Sequence, residues 1–173
     1  MKAKPCDFPP SSSLDPAFLN AADYRDSYQA MLSLDRPSPV DLFFAVFGHE
    51  PLWMKGILIA RNIAVAPFGL KRPTTDQVLT VERKAHYALG DTIGRWPIFA
   101  LNETELIAGR DNGHMDFRLS LLKVPLPGGD CVVVSTVCKT HNRFGRFYLA
   151  CVVPFHKLGV MWLINNAHST GRL

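Results

Sequence analysis

The residues best suited to chemistry in this chain of 173 residues are histidines and the carboxylates near them. Asp111, His114, Asp116 and Arg118 lie close together in the sequence. His114, Asp116 and Arg118 share one face of a predicted strand, and a metal or a polar ligand could contact this polar row. A hydrated outer row of paired charges explains the same pattern, and we expect no metal site.

His156 is the strongest single candidate for acid–base chemistry. It lies in the apolar segment 147–164, where a desolvated imidazole beside a carboxylate could transfer a proton or orient a ligand. The sequence does not identify that carboxylate. A structural histidine bonded to a backbone carbonyl is the alternative interpretation. His141 lies roughly four turns away on the predicted helix, so the two histidines do not form one site.

Sequence motifs for nucleophilic catalysis and for nucleotide binding are absent. No serine lies in a G-x-S-x-G turn, and no G-x-G-x-x-G follows a predicted strand. No cysteine stands near a helix start with a visible histidine partner. We therefore expect neither a catalytic nucleophile nor a bound cofactor.

Composition and charge favour an ordinary globular protein. Hydrophobic residues make up 47% of the chain, and the formal net charge is +4. The basic residues are scattered, which argues against a nucleic-acid partner. The segment 147–164 is mostly apolar, but His156, Lys157 and Pro154 interrupt it, which favours a buried core helix over a membrane span.

The cysteines and the first residues suggest a cytoplasmic protein. Cys131 and Cys138 lie on one predicted strand, roughly 23 Å apart at the usual rise per residue, too far to pair or to share a metal. We expect buried free thiols in a reducing cytoplasm. Residues 1–22 are rich in proline and serine and do not have the pattern of a secretory signal. They are predicted to form an irregular arm before one domain of residues 23–173.

The elements that must position these residues begin with a strand and two helices. Tyr24, Tyr28, Ala30 and Leu32 alternate with polar residues, with Asp26 as a polar exception on the apolar face. Ser38, Pro39 and Asp41 predict a helix start. A second helix begins at Pro51, carries Trp53, Ile57, Ala60 and Ala64 on one face, and ends at Pro67 and Gly69. Residues 71–91 fit either a short helix or a strand.

Four strand-like runs follow, at residues 95–101, 104–110, 114–124 and 131–141. Turn-forming residues separate them, including Asn112–Gly113, so we predict an antiparallel meander within a sheet of four to six strands. Met115, Phe117, Leu119 and Leu121 share one face of the third run, and the opposite face can be wet. After Asn142, apolar residues recur at helical spacing over about six turns, with a kink expected at Pro154. A helix this apolar must be enclosed, and the sheet would enclose it.

Three segments carry a resemblance to a bacterial family of unknown function. They are GRWPIF at 94–99, GRDNGHMDFRLS at 109–120 and HNRFGRFYLACVVPFHKL at 141–158. Residues 90–167 look like domain-of-unknown-function family 2867. The order of elements resembles the helix-grip fold of START lipid-transfer domains, birch-pollen-allergen-like proteins and polyketide cyclases. This resemblance implies an α+β helix-grip fold, in which an antiparallel meander wraps around a long C-terminal helix, with a cavity between sheet and helix.

The resemblance leaves three functional hypotheses open. The first is a module that binds a small apolar or amphipathic molecule in that cavity, lined by Trp53, Phe117, Tyr148, Phe155 and His156. The second is a cyclase- or hydrolase-type enzyme that uses His156 or the polar row in the same cavity. The third is a structural or interaction domain with a filled core, which should expose an apolar patch.

Overall fold

The computed structural model describes residues 2–33, 37–64 and 83–173, which form one antiparallel sheet and four helices. The strands are β1 Lys4–Pro5, β2 Tyr24–Met31, β3 Thr92–Ile93, β4 Trp96–Leu101, β5 Glu105–Arg110, β6 Met115–Leu126 and β7 Gly129–Thr140. The helices are α1 Pro16–Asn20, α2 Pro39–Phe47, α3 Leu52–Ala64 and α4 Arg143–Ser169. The seven strands are ordered β1-β2-β7-β6-β5-β4-β3. The helix-grip α+β architecture is therefore confirmed.

Local sequence signals explain most element boundaries. Ser38 and Asp41 form a capping box at the start of α2, with Pro39 in the first turn, as predicted. Asn142 caps α4 by accepting a hydrogen bond from the Gly145 N–H at 2.8 Å. The four predicted strand runs correspond to β4–β7. The sheet has seven strands instead of the four to six predicted. The difference comes from two short edge strands, β1 and β3, which the sequence did not predict.

The main core lies between the inner face of the sheet and the helices α2 and α4. Leu119 and Leu121 face inward on β6, which confirms the predicted alternation of that strand. Phe43 of α2 and Ile164 of α4 are also fully buried in this cluster. A second, smaller cluster of Met115, Cys138 and Leu149 lies under the N-terminal half of α4. Burial of such side chains is the main stabilising contribution to the fold.

The outer face of the sheet is covered, whereas we predicted that it can be wet. Residues 2–22, predicted as an irregular arm, contain β1 and α1 and cross this face. Four apolar side chains of these residues pack with Ile107 and Val137 of the sheet: Phe8, Leu14, Phe18 and Leu19. Glu105 is 1% exposed and accepts hydrogen bonds from the Ser12 and Ser13 hydroxyls, both at 2.6 Å, and from the Ser13 N–H at 2.5 Å.

The expectation that the sheet encloses α4 is wrong. Only 17% of its most apolar window of 18 residues is buried. A curved sheet contacts one side of a helix, and no other described element covers the opposite side. By length and composition α4 could cross a membrane, and so could α2 and α3 if the bent pair were one span. Such helices are weak evidence for a span, because core helices of soluble proteins can pass the same test.

Two further predictions concern the region after α3. The predicted helix end at Pro67 and Gly69 lies outside the described residues. Of the ambiguous segment 71–91, residues 83–91 are described, and they contain no helix or strand. Arg83 of this segment forms an ion pair with Asp41 of α2 at 2.5 Å.

Candidate functional site

Asp26 of β2 and His156 of α4 face each other across the junction between sheet and helix. The Nε2 atom of His156 lies 3.4 Å from Oδ1 of Asp26. The Asp26 side chain is 11% exposed and that of His156 is 21% exposed, so both are reachable from solvent. Asp26 is thus a carboxylate partner for His156, the residue predicted for acid–base work.

Two tyrosines of β2 complete a polar cluster around this pair. The Tyr24 hydroxyl donates to Oδ2 of Asp26 at 2.6 Å, and the Tyr24 ring meets His156 edge-on. Tyr28 lies on the other side of Asp26 along the strand, and the Asp26 carboxylate raises the pKa of its phenol. Residues two apart on a strand share a face, so Tyr24, Asp26 and Tyr28 all point inward. We call Tyr24, Asp26, Tyr28 and His156 the polar cluster.

The polar cluster favours a charged Asp26. Burial alone raises the pKa of Asp26, but hydrogen bonds from His156 and Tyr24 and the charge of His156 outweigh it and lower the pKa. Burial and the neighbouring carboxylate raise the pKa of Tyr28 to about 12 and also raise the pKa of Tyr24. Both phenols therefore remain hydrogen-bond donors at neutral pH.

Cys138 lies close to the polar cluster but is unsuited to nucleophilic chemistry. Burial and the charge of Asp26 raise its pKa to about 12, so its thiol stays protonated at neutral pH. The four cysteines are free, as expected from their spacing. Cys131 and Cys138 are buried, but Cys151 is exposed and Cys6 half-buried, because α4 and the arm leave them at the surface.

The middle of α4 is open where the polar cluster lies. The buried residues of α4 are Gly145, Leu149, Val160, Leu163, Ile164 and Ala167. Between Leu149 and Val160 no residue is buried, and even the side chain of His156, which faces the sheet, is 21% exposed. Pro154 lies in this stretch and provides no N–H for the backbone hydrogen bond of the helix. The polar cluster therefore lies where the contact between helix and sheet is only partly buried, and we call this stretch of the junction the gap.

This gap separates the two apolar clusters beneath α4. Along β2, Tyr24 packs with the second cluster, whereas Tyr28 belongs to the main core. Along α4, Val153 packs with the second cluster, and Val160 belongs to the main core. Asp26 and His156 lie between these positions on their respective elements. A molecule with a polar group and an apolar part would find matching surfaces here.

Of the other residues predicted to line a cavity, Phe117 and Tyr148 both pack against the second cluster, whereas Trp53 and Phe155 do not join them. Trp53 and Phe155 are 53% and 69% exposed and point away from the sheet. Phe117 is half-buried and contacts the Trp96 ring, while Tyr148 packs edge-on against His114. Periodicity identified the residues that share a helix face, but it did not determine which face the sheet covers.

The predicted polar row is split among three environments. Arg118 pairs with Asp111 at 2.6 Å, and its guanidinium lies over the Phe99 ring. Asp116 lies 2.9 Å from Nε2 of His141. His114 is buried beneath Phe144 and Tyr148.

Neither a metal site nor an enclosed cavity coincides with the predicted residues. Within residues 2–33, 37–64 and 83–173, no three His, Cys, Asp or Glu side chains could hold a metal together. An open pocket of about 450 Å³ lies at the C-terminal end of α4, beside Trp162, Asn165 and Lys2. This pocket does not include Asp26 or His156.

Sequence reasoning missed Asp26 as a functional residue. The signal was present, since Asp26 is the polar exception between Tyr24 and Tyr28 on an otherwise apolar strand face. A carboxylate on an inward-facing position is costly unless it is hydrogen-bonded, which makes it a candidate for function. Its partner His156 is 130 residues away in the sequence, and only the tertiary structure brings the two together.

Comparison with known proteins adds a family but no activity. The family model described as Protein of unknown function (DUF2867) matches residues 18–161 of the chain. No curated protein and no solved structure was found to match it.

Proposed function

Because the chain belongs to the DUF2867 family of proteins of unknown function, we propose a function from its own geometry: it binds a small amphipathic molecule in the gap between sheet and α4. The polar cluster would hold the polar group of this molecule, and the apolar clusters on either side would contact its apolar part. A place in the START-like helix-grip superfamily and a location in a reducing cytoplasm belong to the same proposal.

The observation that carries the proposal is the partly exposed Asp26–His156 pair in the interior junction. An ionic group placed there lowers stability unless its partners compensate, and a filled apolar core would avoid that cost. The residues that surround the pair are matched to it, because the Tyr24 hydroxyl donates to Asp26, Tyr28 lies beside the carboxylate, and His156 can donate or accept through its second ring nitrogen. Such a set can orient a carboxylate, hydroxyl or carbonyl group.

Native mass spectrometry of the freshly purified protein, compared with the same sample denatured, tests the proposal. We expect excess native mass that is released on denaturation as a defined organic species. His156→Gln should lose this species, because it removes the ring that faces Asp26. A second measurement titrates dodecanoate into the protein and follows backbone NMR shifts of β2 and α4.

His141→Gln is the matched control. His141 forms another His–Asp pair, with Asp116, but it lies near the N-terminus of α4 and is farther from the gap. It should retain ligand and dodecanoate binding. The proposal is wrong if neither a co-purified species nor dodecanoate shifts residues around Asp26, or if both variants behave like the wild type.

An acid–base enzyme at the same site is the second candidate, and the Asp26–His156 contact favours it. A carboxylate that orients an imidazole is the arrangement general base catalysis requires. Hydrolysis of p-nitrophenyl butyrate would be the first assay. Activity that falls about 100-fold or more in both Asp26→Asn and His156→Gln, but not in His141→Gln, would support the enzyme. Binding without turnover would favour the carrier.

A further inference from the structure

We propose that the outward faces of α3 and α4 form a docking surface for an anionic lipid membrane, which the protein binds without crossing it. This inference rests on residues outside the polar cluster; of these, Lys157 lies next to it, with its Nζ 5.9 Å from the centroid of the Tyr24 ring.

The outward face of α4 is a continuous apolar stripe. Its members recur at intervals of three and four residues and are all exposed; they are Phe147, Cys151, Pro154, Phe155, Leu158 and Trp162. Leu158 is 71% exposed and Phe155 is 69% exposed. A soluble monomer rarely leaves so many large apolar side chains in one row without a partner.

Helix α3 extends this stripe. Its exposed positions include Leu52, Trp53 and Ile57, again at helical spacing. The Trp53 ring meets the Trp162 ring edge-on with centroids 5.7 Å apart. Met54 of α3 packs over Gly159 of α4: a Cβ atom added to Gly159 would lie 3.6 Å from the terminal methyl group of Met54. The two apolar faces are thus joined into one surface, which we call the apolar ridge.

The charges on these helices favour an anionic occupant. Helices α3 and α4 carry the cations Lys55, Arg143, Arg146 and Lys157, and their sequences contain no Asp or Glu. Phenylalanine, leucine and tryptophan beside lysine and arginine are the composition of helices that lie in the interface of an anionic membrane. A second copy of this chain fits less well, because a two-fold interface would bring these cations together without acidic residues from the ridge helices to pair with them.

The packing of α4 argues for surface binding over spanning. Leu149, Val160 and Ile164 hold the opposite side of the helix against the sheet. Spanning would remove these residues from the core and place Lys157 in hydrocarbon. The open pocket of about 450 Å³ at the end of the ridge adds Lys2 and the Asn165 amide beside Trp162, groups suited to a lipid headgroup.

Flotation of the full-length protein with vesicles tests this inference. The vesicles contain phosphatidylcholine alone or phosphatidylcholine with an equal amount of phosphatidylglycerol. We expect binding to the anionic vesicles, a clear loss in high salt, and a blue shift of tryptophan emission from Trp53 and Trp162. Leu158→Glu should weaken binding about tenfold or more, and Lys157→Gln about fivefold.

Leu89→Glu is the matched control, because Leu89 is 72% exposed but lies in the turn before β3, outside both helices. It should bind as the wild type does, and thermal melts should show that all variants fold. Absence of vesicle binding overturns the inference. A dimer that Leu158→Glu dissociates, with no vesicle binding, would assign the ridge to a second copy. Equal loss in Leu89→Glu and Leu158→Glu would also contradict it.

Discussion

At the scale of single residues, the buried carboxylate of Asp26 controls how the sheet–helix junction responds to acid. Its pKa in the folded protein lies below the ordinary value of 3.8. The charged form therefore stabilises the fold. This stabilisation is complete at pH values above the ordinary pKa of an aspartate, and it is lost as the pH falls through the pKa that Asp26 has in the folded protein. The junction should open in acid before the apolar core does.

Asp26→Asn should lower the free energy of unfolding at neutral pH by about 1.5–3 kcal/mol, the usual contribution of a charged hydrogen bond. Below about pH 4, the variant should also lose less stability than the wild type does. Urea denaturation over a pH series measures both effects. Asp116→Asn is the control, because its His141 partner is one-third exposed, and less than about 1 kcal/mol should be lost. If the free energy of unfolding depends on pH in the same way in the wild type and in Asp26→Asn, Asp26 is not responsible for the acid response.

At the scale of elements, two glycines show how the helices are placed. Gly145 lies in the first turn of α4, where an added Cβ would stand 2.0 Å from the His114 carbonyl oxygen. The start of α4 can therefore approach the β5–β6 loop this closely only because Gly145 has no side chain. Gly56 of α3 has nothing within 4 Å of its Cβ position. The same substitution should thus have opposite effects at the two sites.

Gly145→Ala should destabilise the protein by about 1–3 kcal/mol, because backbone must move to admit the methyl group. Gly56→Ala should stabilise it by about 0.5–1 kcal/mol, since alanine favours a helix interior. Thermal and urea unfolding measure both values. Equal effects would mean that α4 does not begin against the His114 loop.

At the scale of the whole molecule, the carboxylate of Glu105 helps to hold the arm of residues 2–22 on the sheet, together with the pairing of β1 with β2 and the apolar side chains of the arm. Glu105 accepts four hydrogen bonds, from Ser12, from the Ser13 N–H and hydroxyl, and from Ser120. A glutamine would place an NH₂ donor where one carboxylate oxygen now accepts two of these bonds. The arm should then release from the outer face.

Glu105→Gln should cost about 1.5–3 kcal/mol and speed proteolysis within residues 2–22, measured by urea unfolding and limited digestion. Glu103→Gln, an exposed change two residues away, should stay within about 0.5 kcal/mol of the wild type. Unchanged digestion in Glu105→Gln would show that the apolar side chains alone hold the arm.

The sequence by itself determined the longer elements and their order, but not β1, α1 or β3. Alternation placed Leu119 and Leu121 inward, Ser38 and Asn142 marked helix starts, and turn residues separated β4–β7, because these signals act between neighbours in the chain. Only the tertiary structure decided what covers each face. Helical periodicity shows that Phe155 and Leu158 share a side of α4, but the burial of that side depends on the sheet's reach. The pairing of Asp26 with His156, and of Glu105 with Ser12 and Ser13, depends on contacts between segments about 90 to 130 residues apart, which no local pattern encodes.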